Sequence, residues 1–420
     1  MVASMKVLHI VKTAVGANWA YEQVRVLCSL GIEVVVALPS DTEGLAPKYR
    51  RAGATVVRAN LDFPARQPWR IPDTLRACHQ LVDDVRPDLI HTHHVGPTFI
   101  TRLALGKNSK IPRIFGVTGT LHLEHKFFAW LDTHLAGPQD HWIATCKWTQ
   151  RKYETLDLPS TRVFLAYLGT DVENYPCNRT GLLRNEFKIP VDAPLVGMVS
   201  LLYPPKWYFG SARGHKGHED FVVALAKLRK KRPDVRGIII GGTWGDGLWY
   251  EDRVRRFGKR ICGDSLYFTG TRTDIPAIYP DLDLAVVPTH SDGLAYSVVE
   301  PLLAGVPVVS TDAGGIPDLI RDGDTGWLVS PGNPEALARA VLEALSNPKE
   351  ARRRTDRGAE AVRHLLDLEK TGRELAAIYE KILKPTKLTK SAPCFEPFEH
   401  GPVLRNDAVV MHSRAPRTES

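Results

Sequence analysis

The chain has 420 residues, 43% hydrophobic, 24% charged and 8% aromatic, which predicts two or at most three packed domains and excludes a collagen-like, coiled-coil or globally disordered chain. Its 55 basic and 47 acidic side chains leave a net +8. That excess is mild for the length and reads as a solvated surface, compatible with an anionic partner such as a phosphorylated ligand, a nucleic acid or a membrane face without choosing among them. Six cysteines, at 28, 78, 146, 177, 262 and 394, form no close pair and no CxxC spacing, so neither a disulfide framework nor a thiolate zinc site is expected and a reducing compartment fits.

Met1 to Ile10 is too short and polar for a signal-peptide core, and no window approaches eighteen uninterrupted apolar residues, so a soluble, cytoplasmic protein, at most peripheral to a membrane, is expected. From Lys6 to about Gly169, short apolar runs alternate with amphipathic stretches, the pattern of strands joined by helical crossovers in a parallel sheet. The runs predict strands at Lys6–Val11, Glu33–Leu38, Thr55–Ala59, Leu89–His93, Arg113–Thr118, Trp142–Cys146 and Val163–Tyr167. Between the first two, Trp19–Leu30 has helical spacing and stops at Gly31. Periodicity lapses over 173–190, which carries Pro176 and Pro190 and is expected to be a linker. Alternation then restarts with strands at Leu195–Leu202, Gly237–Ile240, Leu266–Thr269, Leu284–Val287, Val306–Ser310 and Gly326–Val329. Phe221–Lys231 and Pro334–Leu345 read as helices of this second α/β domain, and Glu360–Leu383 as a long helix or a helix pair. From Lys384 the apolar pattern fades into Pro, Ser, Thr and Arg, predicting a disordered tail over 384–420. Open parallel sheets bind ligands outside the carboxyl ends of their strands, so function is sought there and between the domains.

After the strand Leu284–Val287 the chain reads Pro288-Thr-His-Ser-Asp292-Gly293-Leu294-Ala-Tyr296-Ser297-Val-Val-Glu300. Gly293 lets the backbone pass close to a bulky ligand, and a helix starting near Ala295 offers N–H groups and its positive dipole end to an anion such as a diphosphate. Asp292 before that helix and Glu300 on its second turn are placed to reach one cleft from opposite ends of a ligand, accepting from sugar and ribose hydroxyls. The plainer reading is that Asp292 caps the helix and Glu300 is a solvated or paired face residue. A second element, Gly210 to Phe221, holds Arg213 and Lys216 between glycines at a strand-to-helix turn, where a fork and a point charge suit phosphate oxygens; a solvated basic loop is the plain alternative. His91-Thr-His93-His94 raises a metal site, yet no Asp, Glu or Cys follows at ligand spacing, so strand-end hydrogen bonding and no metal are expected. Cys28 and Cys146 read as small core residues, and Lys227 to Arg232 as a helix end rather than a nucleic-acid contact.

In this order, Lys216-Gly217-His218, the Asp292-Gly293-Leu294 to Glu300 spacing, Gly305-Val306-Pro307-Val308-Val309, Gly314-Gly315-Ile316-Pro317-Asp318 and Asp322-Gly323-Asp324-Thr325-Gly326 resemble the C-terminal half of the retaining glycosyltransferases of family 4. Val7-Leu-His-Ile, Leu30-Gly31-Ile-Glu-Val35, Arg86-Pro87-Asp88-Leu-Ile-His91-Thr-His93, Thr120-Leu-His122 and Leu168-Gly169-Thr170-Asp171 match the first half more loosely. The resemblance runs from about residue 5 to 383. It implies GT-B architecture, α/β with two Rossmann-like parallel-sheet domains facing a central cleft. Residues 1–172, with a returning helix at 368–383, would bind the acceptor, and residues 191–367 the donor. It also implies roles: Lys216 on the donor diphosphate, Glu300 on the nucleotide ribose and Asp292 on the transferred sugar. The N–H groups of Leu294 to Ser297 would complete the phosphate site, with Tyr296 beside it. From the first domain, Gly16 and His122 would close over the sugar.

The chain departs from the pattern twice. Asp292 stands where the family usually has Glu, and Ser211 where it usually has Arg, in a loop expanded by Lys206-Trp-Tyr-Phe-Gly-Ser-Ala; Arg213 is the first substitute and Lys206 the second. The implied activity is retaining transfer from a nucleotide diphosphate sugar, a UDP-sugar favoured, to an acceptor hydroxyl on a bacterial surface glycan, a lipid-linked glycan or a small metabolite. The donor is a co-substrate, and neither a metal, another cofactor nor nucleic acid is expected. The rivals are an epimerase or a phosphorylase of the same architecture, although no pyridoxal-lysine context is found, and a non-catalytic sugar-nucleotide-binding protein. No G-x-G-x-x-G follows the first strand of either half, which disfavours a nicotinamide dehydrogenase.

Overall fold

Apolar runs short enough for strands and buried on both faces demand covering layers on each side, and the chain supplies them as crossover helices. The structure, a computed structural model, describes residues 5–383 except Thr120, Asp157, Asn174, Lys206–Ala212, Trp244 and Asp246. Lys206 and the tail expected at 384–420 therefore lie outside the described residues. Strands β1 (Lys6–Val11), β2 (Glu33–Leu38), β3 (Thr55–Arg58), β4 (Leu89–His93), β5 (Arg113–Val117), β6 (Asp140–Ala144) and β7 (Val163–Leu165) form a parallel sheet in the order β3-β2-β1-β4-β5-β6-β7. Strands β8 (Leu195–Val199), β9 (Arg236–Ile240), β10 (Leu266–Phe268), β11 (Leu284–Val287), β12 (Val308–Thr311) and β13 (Trp327–Val329) form a second, in the order β10-β9-β8-β11-β12-β13. The order reverses between β1 and β4 in the first sheet and between β8 and β11 in the second. The crevices at the carboxyl ends of those two pairs are where such sheets take ligands.

Most boundaries fall within two residues of the expected ones, and the departures have physical reasons. Strand β6 begins at Asp140 rather than Trp142. Arg102 Nε (3.1 Å) and Arg113 Nη2 (2.5 Å) neutralise that buried carboxylate, so a residue that reads as loop is held inside the sheet. Cys146 leaves the strand and precedes the helix Lys147–Glu154. The segment 173–190, expected as a linker, contains the helix Leu182–Phe187. It is pinned by Asp281, which accepts from the backbone N–H of Thr180 (2.7 Å), Gly181 (2.7 Å) and Leu183 (3.0 Å). Asp283 adds Arg184 (2.8 Å) and the N–H of Leu195 (2.7 Å).

The terminal stretch is a helix pair, Pro348–Leu365 and Leu368–Leu383. At the break, Asp367 accepts from the N–H of Lys370 (2.7 Å) and the Leu366 carbonyl from Thr170 (3.0 Å). The last helix lies on the helix Asn18–Ser29, and Leu375, Ala376 and Tyr379 share a core with Val24, Leu27 and Val36 of the first sheet's layer. Trp19 packs against this core and against the one containing Leu168 and Val298, and so joins the two halves.

Candidate functional site

Two loops meet at the switch point of the second sheet: the one from β8 to the helix His218–Arg229, and the one from β11 to the helix Tyr296–Leu303. They are stitched by backbone. His290 N–H and Thr289 Oγ1 donate to the His215 carbonyl at 2.7 and 3.0 Å. Contact this close requires glycine at 217, where φ is +77° and a Cβ would stand 1.9 Å from the Pro288 carbonyl oxygen. The same holds at Gly314 (φ +57°), whose Cβ would stand 1.9 Å from the Asp292 carbonyl oxygen, so the Gly314-to-Asp318 loop closes on the first two. Together these contacts bring the Lys216 ammonium to 2.6 Å from Asp292 Oδ2. Both side chains are about a fifth exposed, a cation and a carboxylate presented together at the mouth of the crevice.

Asp292 does not cap the helix. The residue before Tyr296–Leu303 is Ala295, no side chain caps that end, and Asp292 Oδ1 instead accepts from its neighbour Gly293 N–H at 3.0 Å. The N-terminus beside the Lys216–Asp292 pair thus carries its dipole and N–H groups without a competing side-chain acceptor. Nor is Glu300 a solvated face residue. Burial pushes its carboxyl up to about 7, against which Tyr279 Oη (3.0 Å) and Tyr175 Oη (3.5 Å) donate to its two oxygens. These two tyrosines were not singled out from the sequence, because 125 and 21 residues separate them from Glu300. Burial also raises the Tyr203 phenol, which lies in the fields of Lys216 and Asp292.

The remaining expected residues are distributed otherwise. Leu294 is buried and Ser297 half-buried. Tyr296 donates from its hydroxyl to the carbonyls of Leu168 (3.3 Å) and Gly169 (3.2 Å) in the first domain. A Cβ on Gly293 would lie 2.7 Å from the Thr118 carbonyl oxygen across the domain boundary. Gly16, at φ +79°, has open space where its Cβ would be. Arg213 pairs with buried Asp220 at 2.9 Å, and Asp220 in turn lies 2.7 Å from His290 Nε2. His122 is 5% exposed, with Nε2 3.0 Å from the Tyr153 hydroxyl, which donates to Asp132 at 2.7 Å. Burial would raise the Asp132 carboxyl, but Arg102, His122 and Tyr153 together outweigh that and hold it below the usual range. His122 therefore belongs to a buried network inside the first domain.

Further ties cross the boundary. Asp318 Oδ2 accepts from the Lys147 N–H (2.7 Å), at the start of a first-domain helix, and from Tyr167 Oη (3.0 Å). Ser291 donates to Glu124. Asp318 ends the run Gly314-Gly315-Ile316-Pro317-Asp318, but an acceptor for another domain's helix leaves no local signal.

The metal question has a geometric answer. His91 and His93 gather with His9, the register partner of His91 on β1, while His94 lies outside the cluster. His9 Nδ1 is 3.0 Å from His93 Nε2, His91 Nδ1 is 2.6 Å from Tyr379 Oη, and that hydroxyl is 3.3 Å from His9 Nε2. A neutral imidazole has one N–H and one lone pair. If Tyr379 donates to His91 it accepts from His9, which must accept from His93; if it donates to His9, every direction reverses. Either way a single unused lone pair remains, so an ion held by all three rings requires breaking the chain.

Two doubly wound parallel sheets, with loops after the strands of the second reaching segments that follow the strands of the first, define a GT-B fold. Residues 16–174 match the Glycosyltransferase Family 4 model and residues 207–361 the model of Glycosyl transferases group 1. The chain belongs to this family. It is similar to the lipopolysaccharide core biosynthesis mannosyltransferase LpsB of Rhizobium meliloti, 29% identical over 49% of this chain and 60% of that protein. It is also similar to the sulfoquinovosyl transferase SQD2 of Arabidopsis thaliana, 25% identical over 78% of this chain and 63% of that protein. Each match thus spans less than two thirds of the relative's length. Among solved structures, Anabaena Alr3699/HepE in complex with UDP-glucose superposes with a TM-score of 0.75 at 18% identity, covering 90% of this chain and all of that one.

Proposed function

We propose that this chain is a retaining glycosyltransferase that moves a sugar from a nucleotide diphosphate sugar, a UDP-sugar favoured, to an acceptor hydroxyl. The observation that carries the reading is the Lys216–Asp292 pair beside the uncapped N-terminus of Tyr296–Leu303, with Glu300 eight residues on. A diphosphate entering there would draw Lys216 from Asp292 and meet the helix N–H groups. Asp292 would then be released to accept from sugar hydroxyls while Glu300 accepts from the ribose. As the C1–oxygen bond to the diphosphate breaks, the new charge falls on Lys216 and the helix N-terminus, a preorganised electrostatic site. The acceptor oxygen bonds to C1 on the face the diphosphate leaves, and its proton passes to a departing phosphate oxygen. These groups suffice for the charge developed, so transfer is expected without a divalent metal. Arg213, paired with Asp220, flanks the Lys216 loop, and His122 sits in the Tyr153–Asp132 network of the first domain. The UDP-glucose complex of the structural neighbour favours a uridine donor, and the mannosyl and sulfoquinovosyl transferases favour hexose transfer in surface or lipid-linked glycan synthesis. Among the described residues no helix is long and apolar enough to cross a membrane.

The test is incubation with a panel of nucleotide sugars and acceptors, following nucleoside diphosphate release and the anomeric configuration of the product by NMR. Retention with loss of activity in Glu300→Ala is expected; inversion, or an unaltered Glu300→Ala enzyme, refutes the assignment.

A further inference from the structure

In the second domain a cavity of about 590 Å³ lies between the helices His218–Arg229 and Leu248–Cys262. That volume is within the range of small-molecule sites. Arg253, Arg256, Phe257 and Arg260 recur at the spacing that puts side chains on one helix face, and that face lines the cavity. Its walls carry arginines against a single carboxylate, Glu219. The cations of this helix that face elsewhere are matched, Arg255 by Glu251 at 2.7 Å and Lys259 by Asp264. Arg253 stands 3.9 Å from Glu219 Oε1. Arg256 and Arg260, both exposed, make no ion pair among the described residues. A concave surface with this balance focuses an anion, and guanidinium forks match phosphate oxygens two at a time. Half-buried Phe257, with Val223 and Val254, gives the cavity an apolar side. The walls also reach the Lys216 loop. Glu219 accepts from Tyr250 Oη at 2.8 Å, and Tyr250 Oη sits so close to Gly214 that a Cβ there would be 2.0 Å away.

We propose that this cavity is a regulatory site for a small phosphate monoester, its phosphate held by Arg256 and Arg260 and its body against Phe257, and that its occupation alters donor binding through the Lys216 loop. Lys216, Asp292 and Glu300 do not line the cavity, so it is separate from the proposed donor site. A phosphate that draws Arg253 from Glu219 changes the acceptor that Tyr250 meets, and Tyr250 bears on Gly214, two residues before Lys216. The coupling is reciprocal: whatever the ester does to the donor's affinity, the donor does to the ester's.

The test is isothermal titration of ribose 5-phosphate, inorganic phosphate and ribose into full-length wild type, Arg256→Ser/Arg260→Ser and Lys216→Ala, followed by UDP-glucose with and without saturating ribose 5-phosphate. Wild type and Lys216→Ala are expected to bind ribose 5-phosphate alike and more tightly than phosphate, with no binding of ribose, and the double variant to bind the ester at least about tenfold more weakly. UDP-glucose affinity is expected to change about fivefold with the ester in wild type and not in the double variant, whose unaltered melting curve shows that it folds. Equal ester binding by wild type and double variant, or its loss in Lys216→Ala, overturns the site, and phosphate binding as tight as the ester's overturns the monoester assignment. Ester binding with UDP-glucose affinity unchanged overturns the regulatory role. No UDP-glucose binding by wild type, with ester binding as expected, indicts the transferase reading instead and leaves the phosphate site in place.

Discussion

Acidifying the solution should unfold the first domain through the His9–His91–His93 cluster. All three rings are buried to within 1% of full exclusion. Burial lowers His9 from 6.5 to about 3 and holds His91 and His93 well below 6.5, the neighbouring rings adding to the effect in both. The folded state therefore requires neutral rings, whereas the unfolded chain protonates them near 6.5. Because the folded values are lowered, stability from this source is complete above pH 6.5 and is lost as the pH falls from there toward 3. A ring lowered this far costs about 1.4 kcal/mol per pH unit below 6.5, so His9 alone removes about 2 kcal/mol at pH 5, and His91 and His93 act in the same direction. His218, lowered to about 3, and His94 and His141, lowered to about 4, steepen the same window. Urea titrations followed by circular dichroism from pH 8 to 5 read the effect directly. The midpoint should hold above pH 7 and fall steeply below 6.5, and His9→Asn should reduce the slope by about one proton. A midpoint level across this range, or a slope unchanged in His9→Asn, refutes the reasoning.

Glu300, with its carboxyl raised to about 7, is ionised only above that value, so donor affinity should rise about fivefold from pH 6 to 8 as its hydrogen bonds become charge-assisted. Glu300→Gln should abolish the rise in calorimetric titrations. Gly217→Ala forces a left-handed residue against the Pro288 carbonyl and should cost about 2 kcal/mol or more, seen as a lower melting temperature together with lost donor binding. Asp318→Ala removes the acceptor at the Lys147 helix and should cost about 1 kcal/mol in chemical unfolding. Transfer should persist at full rate in excess EDTA, measured by nucleotide release.

The parallel sheets were legible because strands covered on both faces read as uninterrupted Val, Ile and Leu runs, as in Val34 to Leu38. Asp140 was misread for the converse reason: Arg102 and Arg113, 38 and 27 residues away in sequence, make a carboxylate tolerable inside β6. In the site, Lys216, Asp292 and Glu300 could be named because each sits at a fixed offset from a glycine or a helix start. What holds Glu300 could not be found that way, since Tyr175 and Tyr279 arrive from the linker segment and from a 3₁₀ turn before β11. Arg213 was assigned by charge and nearness to Lys216. Its direction was decided by Asp220, seven residues on and pointing inward. The network of Tyr153, Asp132 and Arg102 around His122 is likewise a tertiary property that no local spacing announces. The metal reading of His91 to His94 counted neighbours along one strand, whereas the third ring, His9, comes from the strand beside it.

The central claim is that Lys216 and Glu300 together hold a nucleotide diphosphate sugar at the switch point of the second sheet. Isothermal titration of UDP-glucose and other nucleotide sugars into wild type, Lys216→Ala and Glu300→Ala tests it most directly. Loss of one charge-assisted contact is worth about 1.5–3 kcal/mol, so each variant should bind the preferred donor at least about tenfold more weakly than wild type while keeping its fold. Wild-type affinity in both variants, or no binding of any nucleotide sugar by wild type, contradicts the account.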